Sequence, residues 1–220
     1  MQTHNAATIL YELQQILIQI KNSGELPIAE YQKLTNDLSA HGLSMLNYAL
    51  FALESQQQKL LYTSVSASAA LYEVTQEVQP LASSYGIKVG FSASANLEPV
   101  YTHEQSLKGS IYGLLAGVIT SSSPKEANNL TVTVQQTKPF TQRIGVYADG
   151  DLLSTKLVKP QHTKRVMRMS HPSISHTSGL GFTISQLLAE RMQANFEPFV
   201  HKSKRGIGFY MPESQQLSLV

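Results

Sequence analysis

The sequence predicts an α+β protein, a helical hairpin over residues 1–62 followed by an α/β sandwich over residues 63–220. Three observations support this. Before residue 62, apolar residues recur at helical spacing, the repeat of helices with buried faces. Beyond it, LTVTVQQ (Leu130 to Gln136) alternates strictly, the repeat of a strand with one face covered. Helical and alternating stretches then follow one another in an order that suits one sheet under a layer of helices. At 220 residues and 42% apolar content, the chain can enclose a core as one large or two small domains.

The first helix carries THNAATIL (Thr3 to Leu10). At roughly 100° per residue, Ile9, Leu10, Leu13, Ile16, Leu17 and Ile20 cover one broad side. His4, Thr8, Tyr11 and Gln15 lie on the opposite side. His4 is therefore expected on a rigid helix and open to solvent, where a partner protein can reach it. A surface histidine with no duty has the same pattern. KNSGELP (Lys21 to Pro27) ends this helix, with Gly24 and Pro27 as punctuation.

A second helix is predicted from about Ile28 to Leu61. Tyr31, Leu34, Leu38, His41, Met45, Tyr48 and Ala52 form one apolar stripe, and Leu43, Leu46, Leu50 and Leu53 a second. Two stripes imply two apolar contacts, one with the first helix and one outside the hairpin. A second copy completes such a hairpin as a four-helix bundle, so a homodimer is expected. His41 falls in the seam, as a packed or dimer-facing side chain rather than a ligand.

The sandwich follows in order. Ser64 to Gly86 reads as a helix with a glycine stop, and Ile87 to Ala93 as a strand. His103 to Ser122 is a helix, Leu130 to Gln136 and Arg143 to Ala148 are strands, and Gly179 to Ala194 is a helix opening on glycines. Phe196 to Lys202 and Gly206 to Pro212 close the chain as two strands, the sheet being mostly antiparallel.

Composition excludes several classes. Without cysteine there is no disulfide framework, thiolate metal site or thiol nucleophile. A net charge of +2 does not mark a nucleic-acid binder, and no nucleic-acid partner is expected. No apolar run approaches the roughly 18 residues of a membrane span, and the N-terminus lacks signal-peptide character. A cytoplasmic protein is expected.

Thr3 to Leu10 resembles the phospho-acceptor box of histidine kinases, in which an acidic residue follows the histidine. The hairpin looks like that family's dimerisation and phosphotransfer domain. The rest looks like its ATP-binding domain, of the type shared with gyrase and the Hsp90 chaperone. The most specific stretch is SGLGFTISQLLAERM (Ser178 to Met192), followed by RGIGFYMP (Arg205 to Pro212). The resemblance implies that His4 carries a phosphoryl group and that a response-regulator receiver domain is the partner. It also implies that Gly179 and Gly181 can meet phosphate through backbone N–H groups.

Departures from the family pattern lie at its nucleotide boxes. Gly113 and Gly117 stand at the two asparagine positions, and Thr120 at the lysine. The second asparagine normally holds Mg²⁺, which wants oxygen ligands that glycine lacks. Ala148 aligns with the aspartate that accepts the adenine amine; a one-residue shift would bring in Asp149 but misplace Gly150. Asp149-Gly150 also reads as a plain turn. The stretch from Leu152 to Ser178 has no acidic residue and no glycine, and carries Lys156, Lys159, Lys164, Arg165 and Arg168 among His162, His171 and His176. It suits phosphate or an acidic partner, or a solvated loop; its histidines match no metal spacing, and no metal site is expected.

At the histidine box, Asn5 replaces the acidic neighbour. Its carbonyl can hold a ring N–H but is no base at neutral pH. Thr8 is retained one turn on, where its hydroxyl can orient a water or a phosphoryl oxygen. The catalytic set expected is His4, Asn5 and Thr8, with ATP and Mg²⁺ bound weakly or not at all. Three readings remain open: an ATP-dependent histidine kinase, a kinase-derived phosphotransferase or receiver phosphatase, and a non-enzymatic dimeric regulator-binding module.

Overall fold

The computed structural model describes residues 14, 16–18, 20, 27–55, 59–121, 129–148, 179–201 and 204–214. Along these the chain runs α1 (Ile28–Glu54), β1 (Thr63–Val65), α2 (Ala67–Ser84), β2 (Lys88–Ala93), β3 (Val100–Thr102), α3 (Glu104–Ser121), β4 (Asn129–Lys138), β5 (Thr141–Ala148), α4 (Gly179–Arg191), β6 (Glu197–His201) and β7 (Lys204–Pro212). Gln14, Ile16, Leu17, Ile18 and Ile20 are helical as well.

Several helix ends carry local hydrogen bonds. Pro27 precedes α1, and its carbonyl accepts from Tyr31 N–H at 2.9 Å. At the other end the Ser55 amide returns to Phe51 O and its hydroxyl to Ala52 O. The helix is assigned to Glu54, short of the Leu61 expected from its pattern. The Ser66 hydroxyl caps α2 by accepting from Ala69 N–H, which starts that helix at Ala67 rather than Ser64. It ends in a Schellman turn: Gly86, at φ 69°, donates to Ser83 O, and Ile87 donates to Ala82 O. His103 caps α3, its Nδ1 accepting from Ser106 N–H at 3.2 Å.

The main sheet has the order β2-β4-β5-β7-β6. Its neighbours are antiparallel except β2 and β4, which run parallel. A parallel pair needs a long crossover, and the segment between these strands holds β3 and α3. Leu130, Val132, Val134, Ile144, Val146 and Phe209 are fully buried on one face, in a single apolar cluster with α2, α3 and α4. The two-stranded β1–β3 sheet was not legible in the sequence, because three residues leave too little alternation to read.

The centre of this layer is α3, where every residue from Ile111 to Ile119 is buried. A helix covered on all sides must be contacted on all sides. α2 and α4 flank it, the sheet lies beneath, and α1 packs against all three helices, with Leu38, His41, Met45 and Ala52 of its first stripe buried and Ala49 buried beside them. Near the middle of α1, Ile16 lies over Gly42, its Cδ1 3.6 Å from where a Cβ would be, an ordinary contact distance. Leu43 and Leu50 of the second stripe stay exposed, as do Leu17 and Ile18. Among the described residues no helix is long and apolar enough to cross a membrane.

Candidate functional site: a glycine-lined contact between two helices

Small residues at helical spacing bring α3 and α4 together. Ser110, Gly113 and Gly117 share one face of α3, and Gly181, Ser185 and Leu188 share the facing side of α4. A methyl group on Gly113 would lie 2.5 Å from the Gly181 carbonyl oxygen and 3.0 Å from the Ser185 nitrogen. One on Gly181 would lie 2.6 Å from Gly113 O and 2.7 Å from Gly117 N. No Cβ is accommodated at such distances, so this approach requires glycine. One turn earlier the buried Ser110 hydroxyl donates to Ser185 O at 3.0 Å, tying the two backbones together. One turn later the Phe182 ring covers Gly117, 2.9 to 3.1 Å from where a side chain would begin.

Around this contact the remaining family positions are turned inward or back on themselves. Ala148 ends β5 opposite Leu130, 1% exposed and inside the apolar cluster. Thr120 bonds its own helix, its hydroxyl donating to Ala116 O at 2.8 Å. Gly179 begins α4, and Gly181 sits within its first turn at the contact itself. Gly181, inside the helix, has the task of admitting α3. His4, Asn5, Thr8, Asp149 and the basic stretch from Leu152 to Ser178 lie outside the described residues.

Sequence reading missed Ser110, Phe182 and Ser185. The signal existed in the spacing of Ser110, Gly113 and Gly117 against Gly181 and Ser185, small residues one helical turn apart on both partners. It was read only as missing asparagines and a phosphate loop.

Comparison with solved structures places the fold. The Acinetobacter baumannii histidine kinase AdeS matches with a TM-score of 0.54 at 16% identity, over 96% of this chain and 98% of that one. The chain has the histidine-kinase fold. A histidine kinase from Burkholderia phymatum STM815 carries it too, with a TM-score of 0.52 at 12% identity over 97% of this chain and 96% of that one. So does histidine kinase ThkA in its complex with response regulator protein TrrA, at 0.52 and 15%, over 96% of this chain and 60% of that one. No protein-family profile and no curated protein sequence matches the chain. Within the histidine-kinase fold, the glycine contact joins the two helices that the sequence aligns with the asparagine and glycine boxes.

Proposed function

We propose that the chain is a histidine-kinase-like component of two-component phosphorelay signalling, handling a phosphoryl group at His4 for a response-regulator receiver, with its nucleotide site closed. The observation that supports closure is the backbone contact of Gly113 and Gly117 with α4. Mg²⁺ takes oxygen ligands, and Gly113 and Gly117 carry no side-chain oxygen to offer. The Phe182 ring fills the space beside Gly117, and Ala148 offers no acceptor to an adenine amine. On this reading the described residues do not fit Mg-ATP, and nothing in the proposed chemistry passes through it.

Exchange between a histidine and a receiver aspartate needs no nucleotide from this protein. The neutral His4 imidazole attacks phosphorus, the bond from phosphorus to the aspartate oxygen breaks, and the carboxylate leaves. The receiver supplies the Mg²⁺. Asn5 holds the ring tautomer through its carbonyl, and Thr8 orients a water when the phosphoryl group is released to solvent. ThkA, which shares the fold, was solved in complex with a response regulator, which supports a receiver as the partner. A second copy of the chain covers Leu43 and Leu50, giving the homodimer.

Incubating the protein with phosphorylated receivers from the same cell, without ATP, tests this. Loss of label from a receiver, to His4 or to water, is expected. Two lost charged contacts of about 1.5–3 kcal/mol each predict Mg-ATP binding weakened by roughly a hundredfold or more. Low-micromolar Mg-ATP affinity would return the chain to the ATP-dependent kinase reading. No exchange with any receiver would leave a non-enzymatic binding module.

A further inference from the structure

A third glycine of α3, Gly109, carries an inference of its own. At Gly109 three helices meet: a methyl group there would lie 2.5 Å from Leu188 Cδ1 of α4 and 2.6 Å from Tyr48 Cδ1 of α1. The missing side chain is thus a slot, and the Tyr48 ring occupies it. Tyr48 continues beyond the slot, its ring 5.1 Å from that of Tyr112 and its hydroxyl donating to Glu77 Oε2 of α2 at 3.0 Å. Two turns back along α1, His41 bonds the buried Tyr112 hydroxyl at 2.9 Å. One side chain of α1 therefore touches α2 and α3 at once, beside Leu188 of α4. Further along the seam, the space between Ala49, Ala52 and Ile184 amounts to ≈ 10 Å³, too little for more than a single water.

We propose that this Tyr48 clamp makes the long helix and the sandwich one cooperative unit, so that the sandwich stiffens α1 instead of moving against it. A hinged module needs an interface that opens at low cost, with few buried contacts and water between the parts. Here the seam holds a ring seated in a helix slot and two hydrogen bonds across it, Tyr48 to Glu77 and His41 to Tyr112. The inference is independent of the nucleotide reading, since a clamped sandwich is compatible with an open or a closed pocket.

Hydrogen exchange on the full chain tests it. In the wild type the amides of α1 from His41 to Ala52 should exchange with protection within about threefold of the slowest amides of α3. Tyr48→Ala empties the slot and should speed exchange along α1 by about tenfold or more, while the β4, β5 and β7 amides change much less. Should that variant fail to fold, Tyr48→Phe removes only the Glu77 bond and should speed α1 by a few-fold relative to the sheet. Wild-type α1 exchanging tens of times faster than α3 overturns the proposal. So do variants in which α1 and the sheet change equally.

Discussion

His41 Nδ1 lies 2.9 Å from the Tyr112 hydroxyl, inside the seam between α1 and α3. The bond joins two buried side chains, and the tautomer of His41 sets which of them donates. Burial lowers the His41 pKa from 6.5 to about 4. The unfolded chain therefore takes up this proton first as pH falls. The stability His41 contributes is complete above pH 6.5 and is lost as pH drops through about 4. The whole effect is on the order of 3 kcal/mol. Urea unfolding across that window should show the decline, and His41→Gln should flatten it at a lower overall stability.

Gly113→Ala should cost more than Gly117→Ala. The first methyl meets the Gly181 carbonyl, which is fixed in its helix; the second meets the Phe182 ring, which is only half-buried and can turn aside. Overpacking of this kind costs typically 1–3 kcal/mol, about the upper end for Gly113 and the lower end for Gly117. Urea midpoints measure both, and the reverse ranking would contradict the packing described.

The exposed stripe of α1 should be an interface. Leu50 is 46% exposed, so a charge there costs the monomer little. Leu50→Glu should convert a dimer into folded monomers in light scattering at micromolar concentration. A wild type already monomeric under those conditions removes the second copy from the proposed function.

His4 and Thr8 should fail differently. With a labelled receiver, His4→Ala should abolish capture of the label. Thr8→Ala should slow hydrolysis by roughly tenfold or more while leaving docking intact, because the hydroxyl acts on water rather than on the partner. Equal loss of docking in both variants would assign Thr8 to packing instead.

Much of this fold can be read from residue patterns because its elements are long and strongly patterned. β4 alternates in sequence from Leu130 to Val134, α2 stops before Gly86, and the first stripe of α1 is the face that is largely covered. The overshoot of α1 to Leu61 has a physical cause: the glutamines after Ser55 are good helix formers, so nothing local announces the end. What covers the first stripe was less legible. The pattern specifies an apolar face but not its partner, and that partner includes α3 and α4 from beyond residue 100. Gly113 posed the same difficulty. A glycine in a helix records an absence of side chain, and only the facing Gly181 shows that the absence admits another backbone.

The Gly113–Gly181 contact also constrains the routes by which this sequence can change. An asparagine introduced at 113 alone runs into the opposing carbonyl, and one at 117 alone runs into Phe182. Moving α4 away first would expose Ser110 and its backbone partner on Ser185 with nothing gained in return. Each of these single steps is thus a loss of folding stability, and only a combined change avoids it. Selection acting on one substitution at a time would find that direction closed, whatever advantage lay at its end. A library varying positions 113, 117, 181 and 182 together should yield folded asparagine-bearing chains that no single-site library yields.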